Sequence, residues 1–198
     1  MREYYEDLWE RLPPELEPPD FAIRRRFMLA DLRRGERALD LGCGDGRFTA
    51  ELAGAGAVAV GVEIAPAAVR RAQANHPGLD FRLAPIDGPL PLYDNSFELV
   101  WASEVMEHVA DTARWLSEIR RVLAPGGRLL VTTPSHGRLL LALRGIERFS
   151  EPLGDHLHLY TRRSLAAVLE QFAFSDVRVQ SAGGPPLMRR LLLAQARR

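Results

Sequence analysis

Residues 38–46 read Ala38-Leu39-Asp40-Leu41-Gly42-Cys43-Gly44-Asp45-Gly46, and no other stretch narrows the fold of this chain so far. An apolar run that includes an acid and stops at a glycine reads as a buried strand. Three glycines at every second position follow, and an apolar helical pattern opens at Phe48. Glycine reaches positive φ and lets a ligand approach with no Cβ in the way. In an open α/β sheet, a strand, a Gly-rich turn and a helix make the place where a nucleotide-like ligand sits. Two better-known glycine loops do not fit. The dinucleotide fingerprint G-x-G-x-x-G/A needs a small residue where Arg47 stands, and the P-loop needs a lysine. All 26 basic residues of this chain are arginine, so no P-loop lysine, Schiff-base lysine or lysine general base exists. A tight turn with no ligand is the alternative that this stretch alone leaves open.

Strands and helices alternate from there. The pattern predicts strands over 38–41, 58–63, 80–83, 97–102 and 128–132, with helices over 47–53, 66–75 and 112–123. Pro66 suits a first helical turn. Pro125-Gly126-Gly127 is expected to stop the helix before it. Thr161 is a plausible N-cap for a helix reaching Phe172. Residues 176–181 and 187–196 read as two further strands. Such alternation implies an α/β protein with a parallel sheet and helices on both faces. Residues 1–34 read as a helical cap with a proline-rich connector, and 35–198 as the main domain with an insertion at about 134–160. Tyr4, Tyr5 and Trp9 are either a lid over a ligand or the buried face of a docking helix.

Composition removes several classes. The 26 basic residues balance 26 acidic ones, so nucleic acid is not favoured as a partner. Cys43 is the single cysteine, which excludes an internal disulfide and reads as a small packed residue. No apolar run approaches the ~20 residues needed to cross a bilayer. The acidic, aromatic N-terminus is unlike a signal peptide, so no membrane association and a cytoplasmic location are expected.

The glycine stretch resembles motif I (E/D-x-G-x-G-x-G) of the class I S-adenosylmethionine-dependent methyltransferases. Three more stretches resemble that family in order and spacing. They are Leu90-Pro91-Leu92-Tyr93-Asp94-Asn95-Ser96-Phe97, Arg120-Arg121-Val122-Leu123-Ala124-Pro125-Gly126-Gly127 and Asp155-His156-Leu157-His158-Leu159-Tyr160-Thr161. The last is similar to a stretch of the ubiquinone-biosynthesis-type small-molecule enzymes. The resemblance implies a Rossmann-like, seven-stranded, mostly parallel sheet whose last strand is antiparallel. It implies S-adenosylmethionine as co-substrate, with Asp40, Gly42, Cys43, Gly44, Gly46, Glu63, Ile64, Asp87 and Ser103 in contact with it. Glu63, 23 positions after Asp40, would accept from the ribose hydroxyls. Asp87 would accept from the adenine amine, or else is a turn-forming Asp before Gly88. The implied reaction is methyl transfer to a small molecule, at oxygen first, with nitrogen or carbon as alternatives. A non-catalytic cofactor-binding protein and a nicotinamide oxidoreductase are the competing classes.

Ser103-Glu104-Val105-Met106-Glu107-His108-Val109 follows the fourth strand, and in the family this strand end borders the methyl group. If the segment is helical, Glu104, Glu107 and His108 share one face. Three readings stand. His108 is a general base, titrating in the right range. Alternatively, Glu104, Glu107, His108 and His156 bind a divalent cation, as in some O-methyltransferases that the motif resembles. Or Glu107 and His108 are hydrogen-bonding structure. His136, His156, His158 and Tyr160 are the acceptor-site candidates.

Overall fold

The structure, a computed structural model, describes residues 2–13, 17–85, 88–136 and 156–198, apart from the Leu187 side chain. Asp87 and most of the expected insertion therefore lie outside the described residues. Two helices, α1 (Arg2–Arg11) and α2 (Phe21–Leu29), precede the sheet. Then come β1 (Arg37–Leu41), α3 (Arg47–Gly54), β2 (Val58–Glu63), α4 (Pro66–Asn75), β3 (Asp80–Leu83) and β4 (Phe97–Ser103). A short 3-10 turn (Met106–His108), α5 (Thr112–Val122) and β5 (Leu123–Pro134) follow, and then α6 (Arg162–Gln171), β6 (Ser175–Ala182) and β7 (Leu191–Arg197).

One sheet of seven strands runs in the order β3-β2-β1-β4-β5-β7-β6. The first five strands pair in parallel, and β7 enters antiparallel between β5 and β6. This is the Rossmann-like arrangement that the motifs imply. β4 shows why both faces are covered. Leu99, Val100, Trp101 and Ala102 are all fully buried. Because successive side chains point to opposite faces, Val100 and Ala102 enter one cluster with Leu116 and Ile119 of α5. Leu99 and Trp101 enter the other, with Met28 of α2 and Phe48 and Leu52 of α3. A continuous apolar run is the signature of a parallel strand buried on both faces.

Two boundaries differ from the sequence reading. α5 ends at Val122, and Leu123 already pairs with Phe97 as β5. The register then jumps to Leu99 opposite Arg128, so Pro125-Gly126-Gly127 bulges out of a strand and does not stop the helix. The last strand starts at Leu191, because residues 186–188 form a 3-10 turn ahead of it.

The strand order reverses between β1 and β4. The crevice outside their carboxyl ends is the expected ligand position in such a sheet.

Candidate functional site

β1 delivers Leu41 into the glycine loop at that crevice. The Gly42 and Cys43 amides donate to the Val62 carbonyl of β2, at 2.8 and 3.1 Å. Gly42 and Gly44 have φ of +79° and +53°. A Cβ on Gly42 would lie 2.3 Å from Cγ2 of Val105, and one on Gly44 would lie 2.6 Å from the Trp9 ring. Both positions therefore need glycine for conformation and for space.

Glu63 closes β2 and ties the loop down. Its Oε2 accepts from Gly44 N at 3.0 Å, and its Oε1 accepts from Ile64 N at 2.6 Å and Ala65 N at 3.1 Å. Burial pushes its carboxyl upward against these three bonds. Asp40 is also buried, but Thr49 Oγ1 donates to it at 2.7 Å. Burial pushes the Asp40 carboxyl up to about 7, with Glu63 adding to the shift.

A cavity of about 650 Å³ opens over these residues, within the usual size range of a small-molecule site. Of the residues expected to hold the cofactor, Gly42, Cys43, Gly44, Glu63, Ile64 and Ser103 line it. Asp40 and Gly46 do not. Asp40 stands behind the loop on Thr49, and Gly46 packs on Phe81 as the N-cap of α3. The Cys43 thiol is pushed up by burial, which leaves it inert as a nucleophile.

The carboxyl end of β4 departs from the helical reading. Glu104 has φ of +57° and only a 3-10 turn follows, so Glu104, Glu107 and His108 do not share a helix face. Glu104 lines the cavity and accepts from Thr132 Oγ1 at 2.9 Å. Thr132 Oγ1 lies 2.7 Å from Ser103 Oγ, which accepts from Arg24 at 2.9 Å. With Glu104 ionised, the donors run in one direction, from Arg24 through Ser103 and Thr132 to Glu104.

Arg24 is the cavity-lining charge that sequence reasoning missed. It is buried in the cavity wall over the Phe48 ring, and its Nε makes no hydrogen bond. The signal was an arginine run on an amphipathic helix. Only Arg24 turns inward, while Arg25 pairs outside with Glu51.

Glu107 points the other way, into the core. It is fully buried, its Oε2 accepts from Thr133 at 2.9 Å, and its Oε1 makes no hydrogen bond. Burial, with Glu104 adding, holds its carboxyl well above the usual range. His108 lines the cavity, and its Nε2 lies 3.8 Å from Glu107 Oε1. The rings of His108 and His156 meet edge-on at 4.7 Å. Glu107, His108 and His156 each offer a ligand atom, all within 4.8 Å of one another. Glu104 is not part of this group.

The acceptor-site candidates His136, His158 and Tyr160 do not line this cavity. His136 Nδ1 accepts from Tyr160 N at 3.1 Å, and the His158 ring bonds the Val109 carbonyl at 2.9 Å. Tyr160 is buried in the main core. Of the N-terminal aromatics, Tyr5 and Trp9 line the cavity and Tyr4 is exposed. No described helix is long and apolar enough to cross a membrane.

A family model described as a methyltransferase domain matches residues 2–179. Over 130 residues the chain is 35% identical to a probable S-adenosylmethionine-dependent methyltransferase of Mycolicibacterium smegmatis, covering 64% of this chain and 50% of that protein. Over 132 residues it is 32% identical to the ubiquinone biosynthesis O-methyltransferase of Xylella fastidiosa, covering 64% and 54%. Across these and a third relative, from a Streptomyces fradiae transposon, the chain spans 35% to 54% of the length of the protein it matches. An S-adenosylmethionine-dependent methyltransferase from Mesorhizobium loti superposes with a TM-score of 0.73 at 23% identity, over 90% of this chain and 97% of that one. At that identity the likeness is one of fold.

Proposed function

The chain belongs to the class I S-adenosylmethionine-dependent methyltransferases, and on that premise we propose that it transfers the sulfonium methyl of S-adenosylmethionine to a small-molecule acceptor, at oxygen. The observation that carries this reading is a single cavity. It runs from the glycine loop and Glu63, across Ser103, to Glu104 and His108. The Mycolicibacterium relative is named for the same donor, and the Xylella protein is named for oxygen as the target.

In this reading Glu63 accepts from the ribose hydroxyls, since Oε2 accepts one hydrogen bond, from Gly44, and has a lone pair left. Ile64 walls the base. Gly42, Cys43 and Gly44 receive the amino-acid tail, and the open Nε of Arg24 suits its carboxylate. The sulfonium is an activated leaving group, so alignment in a closed site supplies most of the catalysis. As the new bond to carbon forms, the C–S bond breaks and sulfur keeps the electron pair. The acceptor proton passes to a cavity base, for which His108 is the candidate.

A second use of His108 is favoured by the unbonded Oε1 of buried Glu107. Glu107, His108 and His156 have the donor types for a divalent cation. A bound cation would lower the pKa of an acceptor hydroxyl.

Calorimetry with S-adenosylhomocysteine tests the cofactor reading. One equivalent should bind, and NAD and ATP should not compete. NAD binding more tightly than S-adenosylhomocysteine would overturn it.

A further inference from the structure

We propose that α1 is a lid latched to α4, and that the latch sets how fast the spent cofactor leaves; the cofactor's identity rests on the reading above. Tyr5, Leu8, Trp9 and Leu12 recur at helical spacing, and all four line the cavity. Yet α1 contains no buried residue. Its apolar stripe has the cavity, and whatever fills it, as a partner in place of a core. A ten-residue helix is too short to be stable alone in water. Its order must come from what holds it.

Charged side chains hold it, and each helix caps the other. Glu6 of α1 accepts from the Ala67 amide at 2.7 Å and from Arg70 at 2.9 Å. The Ala67 amide belongs to the first turn of α4, where N–H groups lack partners inside the helix. In return Arg71 of α4 donates to the Trp9 and Leu12 carbonyls at 2.7 and 2.9 Å, closing the last turn of α1. The same guanidinium lies 5.6 Å over the Trp9 ring, which itself covers Gly44. At the other end of α1, Arg2 donates to the carbonyls of Ile64 and Ala84, both of which line the cavity. Trp9 packs on the glycine loop and walls the cavity, so a ligand there lies against α1, and in this proposal breaking the caps opens its way out.

The test compares Arg71→Gln, Glu6→Gln and the double variant with Asp7→Asn, a control on the outer face of α1 where Asp7 pairs with Arg11. Tritiated S-adenosylhomocysteine is bound, then chased with unlabelled ligand. Each broken cap should speed release about tenfold, the scale of a charge-assisted bond, and Asp7→Asn should not. Raising the salt should speed release from the wild type and barely move the double variant. Equal release rates in wild type and double variant would overturn the latch. A wild type that binds no S-adenosylhomocysteine would instead sink the cofactor reading. In that case the latch is read from amide exchange of residues 3–12 in the unliganded protein. Faster exchange in the double variant supports it, and equal protection refutes it.

Discussion

Both oxygens of Glu63 accept backbone hydrogen bonds, from Gly44 on one side and from Ile64 and Ala65 on the other. The acid that sequence spacing marks for a ribose therefore also fastens the glycine loop. Glu63→Ala should lower affinity for S-adenosylhomocysteine by ~1–3 kcal/mol. It should also lower the melting temperature, because three amides lose their acceptor. Calorimetry and a thermal melt check the pair, and loss of stability with unchanged affinity would leave Glu63 a purely structural clamp. Asp40 gives a pH signature. Its folded carboxyl is raised to about 7 from 3.8, so the folded state holds the proton more tightly than the unfolded one. That contribution is fully present below pH 3.8 and is lost as pH rises through about 7. Asp40→Asn keeps an acceptor for Thr49 and removes the charge. Its stability should fall less across that window than that of the wild type, because Glu63 and Glu107, also raised by burial, still titrate in both, and at pH 8 the variant should be the more stable; urea midpoints at four pH values decide it. What was legible at this scale was what sits close in sequence: Gly42, Gly44 and the acid at the end of β2. Arg24 and Thr132 were not, because each acts on residues 28 to 79 positions away.

Most elements were legible because each carries its own period and its own stop. α4 begins at Pro66 and ends at Asn75 as the spacing predicts, and β2 runs from Val58 to Glu63. α6 starts where Thr161 places it. The Thr161 side chain accepts from Ser164 N at 3.1 Å, and Ser164 Oγ accepts from Thr161 N at 2.9 Å. Thr161→Ala should cost about 1 kcal/mol, the usual loss for an N-cap. Urea unfolding should show a shifted midpoint with an unchanged slope, because α6 packs Leu165 and Leu169 into the main core and does not melt alone. A cost near zero would mean that the packing of these leucines positions the helix without its cap. The elements misread were those whose ends depend on a neighbouring strand. Pro125-Gly126-Gly127 has the composition of a helix stop, but Leu123 pairs with Phe97 before the turn begins. Pairing across the sheet, which no local pattern encodes, turned a stop into a bulge. The segment after β4 failed for a related reason. Glu104 takes a left-handed conformation while its amide bonds the Thr132 carbonyl, and a helix cannot continue through it.

The whole molecule brings together three segments that share no local signal: the 3-10 turn after β4, the end of β5 and residues 156–160. Their join is tight. Leu157 and His158 amides donate to the Glu107 carbonyl at 2.8 and 3.1 Å, and the His136 amide donates to the Tyr160 carbonyl at 2.9 Å. This join carries His156 to His108 and leaves Glu107 buried beneath them. An isolated carboxylate in that position is costly, so it is protonated or neutralised by a cation. The donor atoms lie within 4.8 Å of one another, whereas two ligands at 2.0–2.1 Å on a tetrahedral zinc are roughly 3.4 Å apart. A tetrahedral ion would therefore have to draw these donor atoms closer together. After chelation, one equivalent of Zn²⁺ or Mn²⁺ should raise the melting temperature. Glu107→Gln and His156→Ala should each abolish that rise, while Glu104→Gln should keep it, because Glu104 stands outside the cluster on Thr132. The Glu104 variant is the discriminating one, since the sequence motif counted that residue as a ligand and the geometry does not. If neither metal moves the melt of the wild type, Glu107 is a protonated hydrogen-bonding partner of Thr133. The base reading of His108 then stands, and His108→Ala should lower kcat by ~10²–10⁴ with cofactor affinity unchanged.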